Sequence, residues 1–335
     1  MSDSSPRQAQ TLSYPAIDLF KWIAALLVAS MHSRPFIQHD GANYYFTCIC
    51  RIAVPFFFVF SSFIFYKKHN SIGSFIKRLL ILYAVWFVLQ SPITYYDFFI
   101  ASDRAFGQNL LIFLRGLFIS STFPASWFIT ALWEGMLIVW IISKKLKWKW
   151  MAVVAILCAL ASLPGTMYYG LIKDTPLLKP YWLFNMAFCP AVSFITAIPY
   201  CIAGKYMAEK EVKLSSTAKW FFFISIIILG CIETIICRPS HYMSDTFIAL
   251  FLFSPFLVYI LLSTHCNLSN SLSAYFRKTS ILIYFIHFPI IFVLNHFFGI
   301  EKGALCWFIV LFCAISLSSL IYFLSKKVKV LRYLY

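Results

Sequence analysis

Charge is scarce in this sequence. Only 12% of its 335 residues are Asp, Glu, Lys or Arg, whereas soluble globular domains carry about 25%. Hydrophobic residues make up 61%, and the mean hydropathy is +0.80. Such a composition excludes a soluble globular enzyme, and its apolar richness excludes a disordered chain. Acidic residues are the scarcest charges, 12 against 28 Lys and Arg, for a net charge of +16. No soluble basic segment interleaved with aromatics exists to bind nucleic acid, so no such partner is expected. The ten cysteines include no Cys-x-x-Cys pair and no Cys/His cluster at zinc spacing. Neither a metal nor a disulfide framework is expected. A repeat of fixed period is missing, as are paired halves with matching broken helices, which weakens an inverted-repeat transporter. No small-residue cleavage site follows the first apolar run, which contains Lys21, so that run is expected to remain as a span.

Apolar runs are what the chain has. Candidate spans fall near 16–37, 48–66, 79–100, 127–143, 150–165, 183–204, 218–237, 245–264, 280–298 and 304–324. Ten spans of about 20 residues fill roughly 200 positions. The segment 109–121 is apolar but short and contains Arg115, so it reads as re-entrant or interfacial. Alternating orientation from a cytoplasmic N-terminus puts 19 basic residues inside and 8 outside. That asymmetry matches the positive-inside bias and absorbs the +16. The expectation is an all-α polytopic transmembrane bundle of about ten spans with both termini cytoplasmic. Residues 1–335 form one domain, with a polar tail at 1–13 and a basic tail at 325–335. Loops are short, so any chemistry must lie within the bundle.

Ionisable side chains inside spans cost roughly 2.5–3.5 kcal/mol on insertion scales and are therefore candidates for function. Lys21 and His32 are 11 residues apart on the first span. At about 100° per residue they point the same way, about 16 Å apart along the axis. Asp18 lies three residues before Lys21 on the same side. A snorkelling ion pair is the structural alternative for Asp18 and Lys21. For His32 it is an interfacial histidine bonded to a neighbouring helix. The second span opens Arg51-Ile-Ala-Val-Pro55-Phe-Phe-Phe, with Ser61 and Ser62 a further turn or two on. Arg51 stands at about the height of His32, to pair with an anionic acceptor or to face headgroups. Ser61 and Ser62 permit close helix packing. Later, Ser280, Tyr284 and His287 occupy one helical face at i, i+4 and i+7. Trp127, Phe128 and the Trp133-Glu134 pair are candidate cavity walls, and Glu134 and Glu233 are intramembrane carboxylates.

The ordered set Asp18…Lys21-x10-His32, Arg51-Ile-Ala-Val-Pro-Phe-Phe-Phe, Ser126-Trp127-Phe128 and Ser280…Tyr284…His287 resembles the acyltransferase-3 family. That family comprises bacterial integral membrane O-acyltransferases, including polysaccharide acetyltransferases and the membrane part of serine-racemase-type resistance proteins. The resemblance implies acyl transfer in the bacterial inner membrane. The group, most simply acetyl, moves from cytoplasmic acyl-CoA to a hydroxyl of a cell-envelope carbohydrate or small exported molecule. The family's basic residue and histidine fall on Lys21 and His32, and its arginine at the start of the second span falls on Arg51. Its cytoplasmic phosphate-binding patch falls on Lys77 and Arg78. Two departures stand out: the usual Ser-Gly is Ser61-Ser62, and the second arginine of Arg-x-x-Arg is Ile81.

On this reading His32 is a general base toward the acceptor hydroxyl. Lys21 stabilises developing charge or the polar groups of the CoA arm. Asp18 holds Lys21. Arg51, Ser61, Trp127, Glu134, Tyr284 and His287 line the cavity. The lipid bilayer, acyl-CoA and the acceptor are the expected partners. A transporter or exporter built on the same buried charges is the alternative, as is a binding subunit without turnover. Acyl-CoA consumption by purified protein separates them.

Overall fold

The computed structural model describes residues 14–237 and 246–335. The N-terminal tail with Arg7, and Arg238, lie outside the described residues. Among those described there are helices and no strands. They are α1 Pro15–Ser33, α2 Asp40–Cys50, α3 Ala53–Lys67, α4 Ile72–Tyr95, α5 Phe106–Phe118, α6 Trp127–Ile142 and α7 Trp148–Ser162. Then come α8 Tyr169–Ile172, α9 Leu178–Phe188, α10 Phe194–Glu209, α11 Ser216–Cys237, α12 Ile248–Ser263, α13 Asn270–Phe297 and α14 Ala304–Leu324.

Each expected span falls on helix, but length divides them. Six helices or helix runs are long and apolar enough to cross a bilayer: α1, α2 with α3, α4 with its terminal turn, α11, α13 and α14. A seventh forms if α9 and α10, bent by 42° at their junction, count as one. The expected spans at 127–143, 150–165 and 245–264 are realised as α6, α7 and α12, of 16, 15 and 16 residues. At 1.5 Å per residue each reaches only about 24 Å, short of the roughly 30 Å hydrocarbon core. The described residues thus hold six or seven full-length spans where about ten were expected. The short apolar segment after the third span is α5, a helix of 13 residues.

Local chemistry sets the boundaries that matter for the site. Pro15 sits in the first turn of α1, where a missing N–H costs nothing. Arg34 closes the helix in the left-handed region at φ 49°, its N–H returning to the Ser30 carbonyl. The second expected span is broken at Arg51-Ile52 into α2 and α3. Pro55 consequently stands in the first turn of α3, where proline is tolerated, and not inside a continuous helix.

The core joins α1, α3, α6, α10 and α13. α3 and α10 come into close contact at Gly204. A methyl there would fall on the Val59 carbonyl and lie 2.8 Å from the Ser62 Cβ, so only glycine fits. Ser62 donates to the Cys201 carbonyl at 2.6 Å across this contact. α1 packs on α13, where the fully buried Ala25 clusters with Ile283 and Ala29 with Ile291 and Leu294. The apolar faces of α4, α11 and α14 are left exposed, for example Val88, Ile236 and Phe308. In a chain this poor in charge, that surface is the lipid-facing one of a multi-pass membrane protein.

Candidate functional site

The polar residues of α1 and α13 open into two cavities, stacked along α1. The larger, about 760 Å³, surrounds Asp18 and Lys21. Asp18 is buried and accepts three hydrogen bonds: from Lys21 Nζ at 3.1 Å, Arg277 Nη1 at 2.9 Å and Ser273 Oγ at 2.7 Å. One carboxylate thereby ties α1 to α13. The Lys21 ammonium also rests 4.4 Å from the centre of the Phe60 ring. Lys68 and Arg78 complete the cationic lining, and Ser61 lines the same wall. Lys77, one residue before Arg78, is exposed and is not part of this lining.

The smaller cavity, about 190 Å³, contains His32. Arg51, Cys50, Trp127, Thr196 and Thr246 line it, and no carboxylate does. After burial and the neighbouring His287 ring, the groups that act on His32 are the cations Arg51, Lys302 and Arg34. Lys302, in the loop before α14, is itself held below the ordinary lysine range by burial and by Arg34. Behind His32, the His287 ring stacks at 5.4 Å between centres, and Phe288 covers it at 4.4 Å. His287 Nδ1 lies 3.2 Å from the Ile283 carbonyl, so Nδ1 is the protonated nitrogen. His287 supports His32 from outside the cavity lining.

Lys21 and His32 share a helix face but not a cavity. Between the cavities stands an aromatic septum built by three helices. Phe57 faces the Lys21 side and Phe58 the His32 side of α3. On α6, Phe128 and Trp127 divide the same way. Phe128 lies tilted against Phe58 at 5.0 Å and meets Tyr284 edge to face at 5.6 Å. Tyr284 lines both cavities, and its hydroxyl donates to the Ala125 carbonyl at 2.9 Å.

The carboxylates of Glu134 and Glu233 stand apart from both cavities. Glu134 is partly buried with one buried oxygen and lines neither. Glu233 caps α12: it accepts from the Ile248 and Ala249 amides at 2.7 Å each and from the Tyr168 hydroxyl. This cap fixes the chain just after Thr246, whose carbonyl receives Thr166 Oγ1 at 2.8 Å. Glu233 is therefore a scaffold for one cavity wall and not a cavity residue. Among the described residues no three potential metal ligands cluster.

Arg277, Ser273, Lys68, Thr196 and Thr246 are cavity residues that motif reading missed. A signal for the first two was present. Ser273, Arg277, Ser280, Tyr284 and His287 are spaced 4, 3, 4 and 3, so the face read from Ser280 onward extends two steps earlier. Thr196 comes from α10 and Thr246 from the loop before α12, and neither carries a sequence signal.

The family model described as "Acyltransferase domain" matches residues 14–323, nearly the whole chain. An "Amino-acid racemase" of Enterococcus faecalis is 31% identical over 206 residues, covering 59% of this chain and 28% of that protein. A second match of that name in the same organism is 23% identical over 335 residues, covering 94% and 47%. A "Serine/alanine racemase" of Enterococcus gallinarum is 26% identical over 225 residues, covering 63% and 32%. The chain thus spans less than half the length of these curated relatives. No solved structure matches.

Proposed function

The chain belongs to the acyltransferase family defined by that domain, and from this premise we propose an integral membrane O-acyltransferase of the bacterial inner membrane, with both termini cytoplasmic. It moves an acyl group, most simply acetyl, from cytoplasmic acyl-CoA to a hydroxyl of a cell-envelope carbohydrate or small exported molecule. The observation that carries the reading is the pair of cavities meeting at Tyr284, one large and cationic, the other small and holding an imidazole. Lys68, Arg78 and Arg277 suit the phosphates of the donor, because charge-assisted bonds to phosphate are the strong ones. Lys21, fixed by Asp18, suits the polar arm that leads inward from them.

In the smaller cavity His32 takes the proton of the acceptor hydroxyl as its oxygen attacks the thioester carbonyl. A C–O bond forms, the C–S bond breaks, and the proton passes from the imidazole to the departing thiolate. Negative charge gathers on the carbonyl oxygen meanwhile. Arg51 is the cation in this cavity, so oxyanion stabilisation falls to Arg51 and not to Lys21. Trp127 offers a stacking face to a sugar ring, and Thr196 and Thr246 offer hydroxyls to its polar edge.

The racemase names belong to proteins more than twice as long as the matched stretch and describe no reaction that these two cavities resemble. The test is mass spectrometry of envelope glycans and secreted metabolites from cells with the gene, without it, and with His32→Ala. A product heavier by one acyl group, present only with the unaltered gene, is the expected result. Its persistence in the His32→Ala strain would remove His32 from the mechanism. Solute movement across vesicles without acyl-CoA consumption would replace the enzyme with a transporter.

A further inference from the structure

The proposed reaction needs atoms from both cavities to touch, and an aromatic septum holds them apart. Phe57, Phe58, Trp127 and Phe128 in that septum are kept in place by apolar packing. Tyr284 differs: it is buried, borders both cavities, and is tied by its hydroxyl to the Ala125 carbonyl. Ala125 itself is buried at φ 67°, the left-handed region that an alanine occupies at a cost. Its loop holds that shape through a hydroxyl network. Ser126 Oγ accepts from the Thr122 amide at 3.0 Å and donates to Ser121 Oγ at 3.2 Å, while Ser121 Oγ accepts from the Trp127 amide at 3.1 Å. Backbone strain of this kind persists only where surrounding contacts enforce it, and it gathers at sites that work.

We propose that Tyr284 is a positioning residue, the latch of a septum that the donor thioester must displace to reach His32. The inference rests on the acyltransferase reading. With the latch closed, the thioester waits beside Lys21, away from the base and from any water next to it. When the Tyr284–Ala125 bond breaks, the ring swings clear and the carbonyl enters the His32 cavity. The coenzyme A body is far too large for a cavity of about 190 Å³, so only the thioester end crosses. Tyr284 on this account keeps acyl transfer coupled, because it denies His32 a thioester to hydrolyse in the absence of acceptor.

Bromoacetyl-CoA tests the latch without knowledge of the acceptor. Its electrophilic carbon alkylates Cys50 or His32 beyond the septum, forming a C–S or C–N bond and releasing bromide and a proton. The purified full chain in lipid nanodiscs is treated with this reagent, and alkylated peptides are quantified by mass. Tyr284→Phe keeps the ring but removes the hydrogen bond. Its expected effect is a rise of about fivefold to tenfold in alkylation rate, and a similar rise in acceptor-independent thiol release from acetyl-CoA, for one buried hydrogen bond lost. Phe128→Leu thins the septum with the latch intact and is expected to raise both rates less.

CoA-induced thermal stabilisation equal to that of the unaltered protein certifies that each variant is folded and binds donor. With that stabilisation intact, unchanged rates in Tyr284→Phe overturn the latch, as does a larger rise in Phe128→Leu. Absence of CoA stabilisation in the unaltered protein itself, with alkylation that CoA does not slow, overturns the donor reading and the latch with it.

Discussion

The two cavities use polar residues in opposite ways. Around Lys21 there are about 760 Å³, a carboxylate shared by an ammonium and a guanidinium, and long cationic side chains at the rim. Around His32 there are about 190 Å³, stiff aromatic rings, two buried threonines and one arginine set at a helix break. Long exposed cations attract a polyanion from a distance and tolerate loose geometry, at the expense of sensitivity to salt. A small cavity walled by rings and helix ends tolerates almost no displacement, which is what proton transfer and oxyanion stabilisation require. The proposed function puts donor recognition and chemistry in separate compartments of one bundle, and on that proposal substitutions in each should leave different kinetic signatures.

The largest effect is expected from His32→Ala, which should lower kcat for acyl transfer by about 10²–10⁴, the usual contribution of a general base. Its KM for acyl-CoA should stay near that of the unaltered protein, because the proposed function puts donor recognition in the other compartment. A steady-state assay of CoA release in the presence of acceptor reads both constants, and a large KM change would merge the two cavities into one functional unit. Next comes Glu233→Ala. Losing this cap strands two amides and a tyrosine hydroxyl at the start of α12, at a stability cost of roughly 2–4 kcal/mol. Thermal unfolding should show the drop, and the displaced Thr246 wall should raise KM for the acceptor but not for the donor. Smaller still, Arg78→Ala should raise KM for acyl-CoA on the order of fivefold, about 1 kcal/mol for one partly solvated contact to phosphate. Raising the salt concentration should shrink the difference between this variant and the unaltered protein. A salt-independent effect would move Arg78 from donor recognition to packing.

The polar stripe was legible in the sequence because helical periodicity is a strong signal, but its division was not, since periodicity alone set Lys21 and His32 beside one shared cavity. The 11-residue spacing of Lys21 and His32 placed both on one face of α1, and the faces of α1 and α13 do meet. The helical segments were legible as apolar runs. Their function as full spans was not, since composition does not reveal that α6, α7 and α12 stop at 15 or 16 residues. Nor did it show that Arg51 stands at a break between two helices. The septum was hidden for another reason. In a chain with 20% aromatic residues, five rings from three helices look like ordinary core until tertiary packing sets them side by side. Glu233 looked functional because a buried carboxylate usually is. Its partners are backbone amides, which have no sequence signature.

The subtlest way to sharpen the comparison lies at Ala125, on the boundary itself. Its φ of 67° costs an L-residue roughly 1–2 kcal/mol relative to the right-handed region, whereas glycine accepts it freely. Replacing it by glycine also loosens the unfolded chain, an opposing term of about 0.5–1 kcal/mol. The balance predicts that Ala125→Gly is neutral to stabilising by about 0.5 kcal/mol, with a slightly higher unfolding temperature. A buried alanine in an ordinary conformation would instead lose stability on the same change, since it would forfeit a packed methyl and gain only entropy in the unfolded state. The carbonyl that receives Tyr284 survives the substitution, so a stabilised variant would locate the strain in the backbone of the loop. A destabilised variant would mean that the methyl of Ala125, a residue of the His32 cavity lining, is what holds the loop in place.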